Sequence, residues 1–153
     1  MIAQSGQRRY LENMQWPETV QVHIEVERWS FTKHRPDGSV DFRSPIPSLF
    51  SYGSVPARMA ADGDPEDALV VGVAPKRGAI VTYTIWGRVL FEDAGLEDHK
   101  WVVGPRIPTE LQWAAVASFF TVYARAKRVL YLFRGISGPV HFHGVDRLNP
   151  NVG

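Results

Sequence analysis

The stretch that most constrains the fold runs from Thr109 to about Leu132 and contains no interior glycine or proline. Pro108 and Thr109 at its beginning are typical of a helix start. Side chains at helical spacing along this stretch are Trp113, Val116, Phe120, Tyr123 and Lys127. The sequence therefore predicts one long helix with a largely apolar face.

The residues before this helix show the shorter period of β-strands. Val20 to Glu27 alternates strictly between apolar and polar side chains, which predicts a strand with one buried face. The turn signal Pro36-Asp37-Gly38, followed by Ser39 to Phe42, predicts a hairpin. Further apolar runs predict strands at 68–73, 79–90, 100–103 and 140–145.

Residues 44–67 are interrupted by repeated prolines and glycines, and they are predicted to be mostly loop. Long loops inside compact domains are usually functional. Short strands followed by one long helix favour an α+β fold, in which the helix packs against a small β-barrel.

Composition excludes several classes of site. The 153-residue chain has no cysteine, which excludes a disulfide scaffold, a thiolate zinc site and a cysteine nucleophile. Its formal charge of +1 gives no reason to expect a nucleic acid or an acidic membrane as partner. No run approaches the roughly 20 apolar residues of a membrane span. Residues 1–18 are interpreted as a polar extension without a secretory signal, and 19–153 as one cytoplasmic domain.

An acidic segment, Asp62-Gly63-Asp64-Pro65-Glu66-Asp67, places four carboxylates within six residues. Like charges at this density repel one another, and a structural turn needs only one aspartate. A hard divalent cation such as Mg²⁺ would remove the repulsion, since it prefers oxygen ligands. The alternative interpretation is a solvated acidic turn on the surface.

A second acidic segment spans Glu92 to Lys100 and bends at Gly95. If residues 98–102 are extended, Asp98 and Lys100 point to the same face. A carboxylate beside an ammonium group suits a site that holds both a cation and a phosphate. A surface ion pair of little energetic value is the simpler alternative.

Four segments together resemble the family I soluble inorganic pyrophosphatases. Asp62-Gly63-Asp64-Pro65-Glu66-Asp67 matches the family signature, and Tyr52-Gly53-Ser54-Val55-Pro56 resembles the segment before it. The segment from Asp93 to Lys100 keeps the family's spacing of two aspartates and a lysine, and Phe119-Phe120-Thr121-Val122-Tyr123 matches its helix motif. The resemblance implies an OB-like five-stranded β-barrel and the magnesium-dependent hydrolysis of pyrophosphate by a homo-oligomer.

The resemblance also implies roles for individual residues. The implied Mg²⁺ ligands are Asp62, Asp67, Asp93, Asp98 and Glu25. The implied phosphate-contacting groups are Lys33, Arg43, Tyr52, Lys100 and Tyr123. Asp67 is expected to orient the nucleophilic water, with Tyr52, Arg43, Lys33 and Lys100 completing the catalytic set.

The chain departs from the family pattern at three positions. Ala124 stands where the family has a lysine that contacts phosphate, and Ser51 and Ser54 replace an asparagine and an aromatic residue. Because Arg128 lies about one helical turn beyond Ala124, we expect Arg128, or Lys127 beside it, to supply the missing cation. These departures leave two alternatives open: hydrolysis of another phosphoanhydride such as a nucleoside polyphosphate, and a barrel that binds a phosphorylated ligand without catalysis.

Overall fold

The computed structural model describes residues 18–34, 37, 39–44, 46–59 and 63–148. Nine strands and one helix occur in these residues. The strands are β1 (Thr19–Val26), β2 (Thr32–His34), β3 (Val40–Arg43), β4 (Ser51–Met59), β5 (Pro65–Val70), β6 (Ile80–Asp93), β7 (Leu96–Glu97), β8 (Lys100–Gly104) and β9 (His141–Arg147). The helix is α1 (Glu110–Arg134).

Five strands close into a barrel in the order β1-β4-β5-β8-β6, and the pairing of β6 with β1 completes it. Of these pairings, β5 with β8 is parallel and the others are antiparallel. β9 extends the sheet by pairing with residues 87–92 of β6. β2 pairs with β3 as a separate hairpin. The predicted OB-like barrel with one long helix is confirmed.

The barrel interior is filled by one side of each strand. In β1 the predicted apolar face enters the interior at Val20, Val22 and Ile24. Val26, which follows a register shift, is nearly buried but lies outside this cluster. Because strand side chains alternate, the polar residues between them face outward. The interior cluster is completed by residues of the other four strands, including Val55, Ala68, Val70, Ile85 and Val103.

The prediction that residues 44–67 are mostly loop is wrong for β4, which continues through Gly53 and Pro56. Gly53 approaches β1 so closely that an added Cβ would lie 1.9 Å from the His23 carbonyl oxygen. Only glycine fits there. Pro56 follows Val55, where the register with β5 shifts, so its missing N–H falls where the pairing is irregular.

The helix follows the prediction closely. Thr109 caps it by accepting the N–H of Gln112, whose side chain accepts the Thr109 N–H in return, and Gly135 ends it in the left-handed conformation. Its buried face, which includes Trp113, Val116 and Phe120, packs on the outside of the barrel. A second apolar cluster therefore lies between barrel and helix.

Candidate active site

A cleft of about 350 Å³ lies between the outer face of the barrel, helix α1 and the β2–β3 hairpin. Most of the predicted site residues converge on it. The predicted residues that line this cleft are Lys33, Tyr52, Asp67, Asp93, Asp98, Lys100 and Tyr123. Residues that lie up to 90 positions apart in the sequence thus meet at one place.

The alternation of β5 and β8 brings these side chains to the cleft. In β5, Ala68 and Val70 enter the barrel interior, whereas Leu69 packs under the helix, so Asp67 faces the helix side. The parallel register pairs Asp67 with Lys100 and Leu69 with Val102. The polar cleft is therefore the continuation of the apolar layer between barrel and helix.

Five residues form what we call the barrel wall of the cleft: Lys33 of the β2–β3 hairpin, and Tyr52, Asp67, Asp98 and Lys100 on or next to barrel strands. The Lys100 ammonium lies 2.9 Å from Asp98 Oδ1 and 3.5 Å from Asp67 Oδ2. Lys33 approaches the other oxygen of Asp67, with Nζ at 3.4 Å from Oδ1. The ring of Tyr52 lies under both ammonium groups, at 5.6 Å from Lys100 and 5.8 Å from Lys33. Asp67 is thus the centre of a network of two cations and a second carboxylate.

The pKa values of the barrel wall follow from burial and charge. Burial alone lowers the pKa of Lys100, but Asp98 and Asp67 outweigh it and raise that pKa above the ordinary value. Burial raises the pKa of Asp98, but the charge and hydrogen bond of Lys100, together with the charges of Lys127 and Lys33, outweigh burial, so the net pKa is depressed. Burial and the nearby Asp67 raise the pKa of the Tyr52 hydroxyl well above its usual value. At neutral pH Lys100 and Asp98 are therefore charged and Tyr52 is neutral.

Glu25 lies next to this network on the outward side of β1. Its carboxylate is nearly buried, and Oε2 lies 3.6 Å from the Lys33 ammonium. Burial raises the pKa of Glu25, and the attraction of Lys33 opposes that rise only in part. Glu25 is connected to the cleft through Lys33 and does not line it.

The opposite side of the cleft, which we call the helix wall, consists of Asp93, Tyr123, Lys127 and Tyr131. Lys127 forms an ion pair with Asp93 Oδ2, and the Tyr131 hydroxyl donates to Asp93 Oδ1 at 2.7 Å. The Lys127 ammonium lies 5.3 Å from the ring centre of Tyr123 and 5.6 Å from that of Tyr131. Burial lowers the pKa of Lys127. Tyr123 and Asp93 act in the opposite direction and together outweigh burial, so the pKa of Lys127 lies above the ordinary value. Both oxygens of Asp93 are therefore engaged by the helix.

The placement expected for Arg128 is not the one in the structure. Arg128 is exposed on the outer side of α1 and does not line the cleft, whereas its neighbour Lys127 is buried and does. The reason is the phase of the helix: its buried positions Trp113, Val116, Phe120 and Ala124 are continued by Lys127. The alternative residue, Lys127, therefore occupies the place predicted for a cation.

Other predicted positions have different outcomes. Asp62 lies outside the described residues, and for Arg43 the structure describes the backbone of β3 alone. Glu66, in the acidic motif, faces the other side of β5, where it accepts from Arg88 and Trp101. Ser51 and Ser54 are buried and do not line the cleft.

One member of the helix wall, Tyr131, was not identified from the sequence. It lies 38 residues from its partner Asp93, so nothing in the local sequence links the two. The available signal was its spacing: Tyr131 lies four residues after Lys127 and eight after Tyr123, on one side of a helix.

The cleft fits a hard divalent cation by the chemistry of its donors. Its acidic side chains are Asp67, Asp93 and Asp98, all of which offer oxygen. Among the described residues, no three acidic or histidine side chains converge as a ready-made cage. Mg²⁺ does not need one, because it keeps several waters and takes one or two carboxylates together with substrate phosphates.

Comparison with known proteins identifies the family of the chain. Residues 17–113 match the sequence pattern of a family described as inorganic pyrophosphatase. The chain belongs to the inorganic pyrophosphatase family. The match contains the whole barrel wall and Asp93, and it ends within the first turn of α1. The predicted resemblance to this family is confirmed. Three of the four segments lie inside the match, and the helix segment at 119–123 lies beyond it.

Individual relatives extend this result. The chain is 35% identical over 96 residues to the inorganic pyrophosphatase of Thermus thermophilus, covering 58% of this chain and 54% of that protein. It is 31% identical over 112 residues to that of Gluconobacter oxydans, covering 67% and 64%. The chain thus spans between half and two thirds of the length of these curated relatives.

A solved structure resembles the fold over most of its length. An inorganic pyrophosphatase from Coxiella burnetii superposes with a TM-score of 0.68 at 25% identity, covering 87% of this chain and 88% of that one. In the described part of this chain, no helix is long and apolar enough to span a membrane.

Proposed function

We propose that this protein hydrolyses inorganic pyrophosphate to two phosphates and that its cofactor is Mg²⁺. The observation that carries the proposal is Asp67, a carboxylate of the family motif that lies between the ammonium groups of Lys33 and Lys100. One cleft thereby combines oxygen donors for a cation with ammonium groups for a polyanion. Membership of the inorganic pyrophosphatase family supports the same substrate.

The residues of the barrel wall act mainly through charge and position. Phosphoryl transfer leaves little covalent work to protein groups. Lys33 and Lys100 neutralise phosphate oxygens as charge develops on the leaving group, and the neutral Tyr52 hydroxyl donates a hydrogen bond to a phosphate oxygen. Asp67 orients the attacking water and accepts its proton.

The cation belongs to the acidic side chains of the cleft. Asp67, Asp93 and Asp98 would hold it, and we assign Asp62 and Glu25 to the same set by their family positions. A bound Mg²⁺ supplies Lewis acidity, which lowers the pKa of water and offsets the charge of phosphate oxygens. Arg43 and Tyr123 are assigned to the substrate phosphates.

The remaining proposals concern the whole protein. We propose that residues 19–153 act as one domain, that the protein is a cytoplasmic homo-oligomer, and that neither nucleic acid nor membrane is its partner. The near-zero formal charge of +1 supports the last point, since nucleic-acid binding relies on a basic surface.

The test is phosphate release from pyrophosphate by the purified protein with Mg²⁺ and with EDTA. We expect phosphate release with Mg²⁺ and none with EDTA, and a fall of about 10²- to 10⁴-fold in kcat for Asp67→Asn. Asp64→Asn is the matched control, because Asp64 is an exposed aspartate of the same motif. Full activity in Asp67→Asn would overturn the proposal.

The alternative functions give different results in the same assay. Release from ATP but not from pyrophosphate would assign the site to nucleoside polyphosphates. Tight binding of pyrophosphate without release would assign it to a binding barrel. Either outcome rejects hydrolysis of pyrophosphate as the function.

A further inference from the structure

Lys127 is unusual among the lysines of the cleft because it is carried by the helix and ends on the helix wall. Its side chain is 7% exposed, and its ammonium is paired with Asp93. Lys33 and Lys100 reach the same cleft from the barrel wall, where both are paired with Asp67. The cleft therefore presents ammonium groups to a ligand from two opposite sides.

The pairing of Lys127 with Asp93 conflicts with the role of Asp93 as a cation ligand. Both oxygens of Asp93 are engaged, one by Lys127 and one by the Tyr131 hydroxyl. A divalent cation on this carboxylate would lie within a few ångströms of the ammonium group and repel it strongly in a partly buried site. Asp93 therefore binds either the cation or Lys127 at full strength, but not both.

An ammonium group displaced from Asp93 favours a new anion, because a poorly compensated buried charge is costly. The charge of Lys127 also acts on Asp98, but Asp98 is already paired with Lys100. Tyr123 and Tyr131 flank it and offer ring faces and hydroxyl groups without a full charge. The anion that the cation brings into the cleft is the substrate phosphate. Lys127 has a flexible four-carbon stem, so it reaches a new partner by rotation of its side chain.

We propose that Lys127 is a phosphate-binding residue that neutralises Asp93 in the empty cleft and moves to the substrate when a divalent cation takes Asp93. This inference rests on the proposed function, because it uses the cation and phosphate sites assigned there. The exchange couples the two ligands: each favours the arrangement in which the other binds. Lys127 also supplies the cation that Ala124, on the same buried face, does not.

For one variant, Lys127→Met, we expect tighter binding of a divalent cation but weaker binding of pyrophosphate. Lys127→Met removes a competitor from Asp93, so the substrate-free protein should bind a divalent cation more tightly, by several-fold. The same variant loses a charge-assisted contact to phosphate, so the KM for pyrophosphate should rise about 10-fold or more. If Lys127 only held Asp93 in position, Lys127→Met would instead weaken the binding of both the cation and pyrophosphate, because the Asp93 carboxylate would be free to move.

The experiment uses Mn²⁺ as probe in calorimetric titrations of the substrate-free protein, followed by steady-state assays with pyrophosphate and Mg²⁺. Arg125→Met is the matched control, because Arg125 is an exposed cation on the same helix. We expect it to change neither quantity by more than about twofold. Lys127→Arg keeps the charge, and we expect its KM within a few-fold of that of the wild type.

Weaker or unchanged Mn²⁺ binding by Lys127→Met, or an unchanged KM, would overturn the proposal. If Lys127→Met does not fold, as judged by thermal unfolding, Lys127→Gln takes its place with the same two expectations. If the wild type releases no phosphate, the proposed function fails separately. In that case the affinity for inorganic phosphate, with and without Mn²⁺, replaces KM, and equal coupling in wild type and variant would reject the role of Lys127.

Discussion

The two walls of the cleft hold their charges in different ways. In the barrel wall, one buried lysine, Lys100, serves two carboxylates, Asp67 and Asp98. In the helix wall, one carboxylate, Asp93, receives both a lysine and a tyrosine hydroxyl. One ammonium, that of Lys100, is therefore shared by two carboxylates in the barrel wall, whereas one carboxylate, that of Asp93, is shared by two donors in the helix wall.

The difference reflects how each wall is built. Strand pairing fixes the centre of the barrel wall, since the β5–β8 register places Asp67 beside Lys100. Side chains of α1 complete the helix wall, and their direction depends on how the helix is rotated against the barrel. A rigid wall suits residues that must hold a cation and a water in place. A wall of long helix side chains suits groups that exchange partners during binding.

The largest expected effect is that of Lys100→Met on the barrel wall. It leaves Asp67 and Asp98 as neighbouring carboxylates without their shared cation, so the free energy of unfolding should fall by about 3 kcal/mol in EDTA. This is the low end for a buried pair, because the Asp98 side chain is 35% exposed. Urea unfolding followed by tryptophan fluorescence measures the loss.

Two further measurements sharpen this comparison. Mg²⁺ should restore part of the stability of Lys100→Met, because a cation replaces the missing ammonium. Lys127→Met should cost less, about 1–2 kcal/mol, since Tyr131 continues to hydrogen-bond Asp93. Lys76→Met, at an exposed lysine, is the control. Equal losses for the lysines at 100 and 127 would remove the distinction between the walls.

A smaller effect is expected for Tyr131→Phe on the helix wall. The hydroxyl donates to a carboxylate at 2.7 Å, but Tyr131 is only partly buried, so the loss should be about 1 kcal/mol. Thr121→Val removes an exposed hydroxyl of the same helix and should change stability by less than about 0.5 kcal/mol. A Tyr131→Phe protein as stable as the wild type would mean that Lys127 alone holds Asp93.

The sequence predicted the barrel wall well, for a physical reason. Strand alternation and the acidic motif are local patterns, so they point to Asp67, Asp98 and Lys100 without any information on tertiary contacts. The ion pair of Asp98 with Lys100 has the arrangement expected from an extended backbone. β4 was missed because Gly53 and Pro56 disfavour a strand locally, while the requirement for Gly53 comes from the distant carbonyl of His23.

The helix wall was predicted less completely because its geometry is not local. Lys127 and Arg128 differ by one position, and only the packing of α1 on the barrel decides which of them enters the cleft. Tyr131 meets Asp93 across 38 residues of chain. The family match, which ends at residue 113, gives no information about these side chains.

The smallest expected effect is on pH dependence, and it concerns His99, which does not line the cleft. His99, between Asp98 and Lys100, accepts the backbone N–H of Phe91 through Nδ1 at 2.9 Å. Burial and the charge of Arg88 lower the pKa of His99 below its ordinary value of 6.5. The imidazole is therefore neutral in the folded protein at pH values where the unfolded chain already binds a proton.

Because the folded-state pKa is the lower one, the stability from neutral His99 is fully present above pH 6.5. It is lost as pH falls toward the folded-state pKa. The slope cannot exceed about 1.36 kcal/mol per pH unit, the limit for one proton. We expect His99→Gln to flatten the stability curve between pH 5 and 7 in urea unfolding, while Lys127→Met, on the helix wall, leaves its slope unchanged. An equal flattening by both variants would show that the protonation of His99 is not what produces this slope.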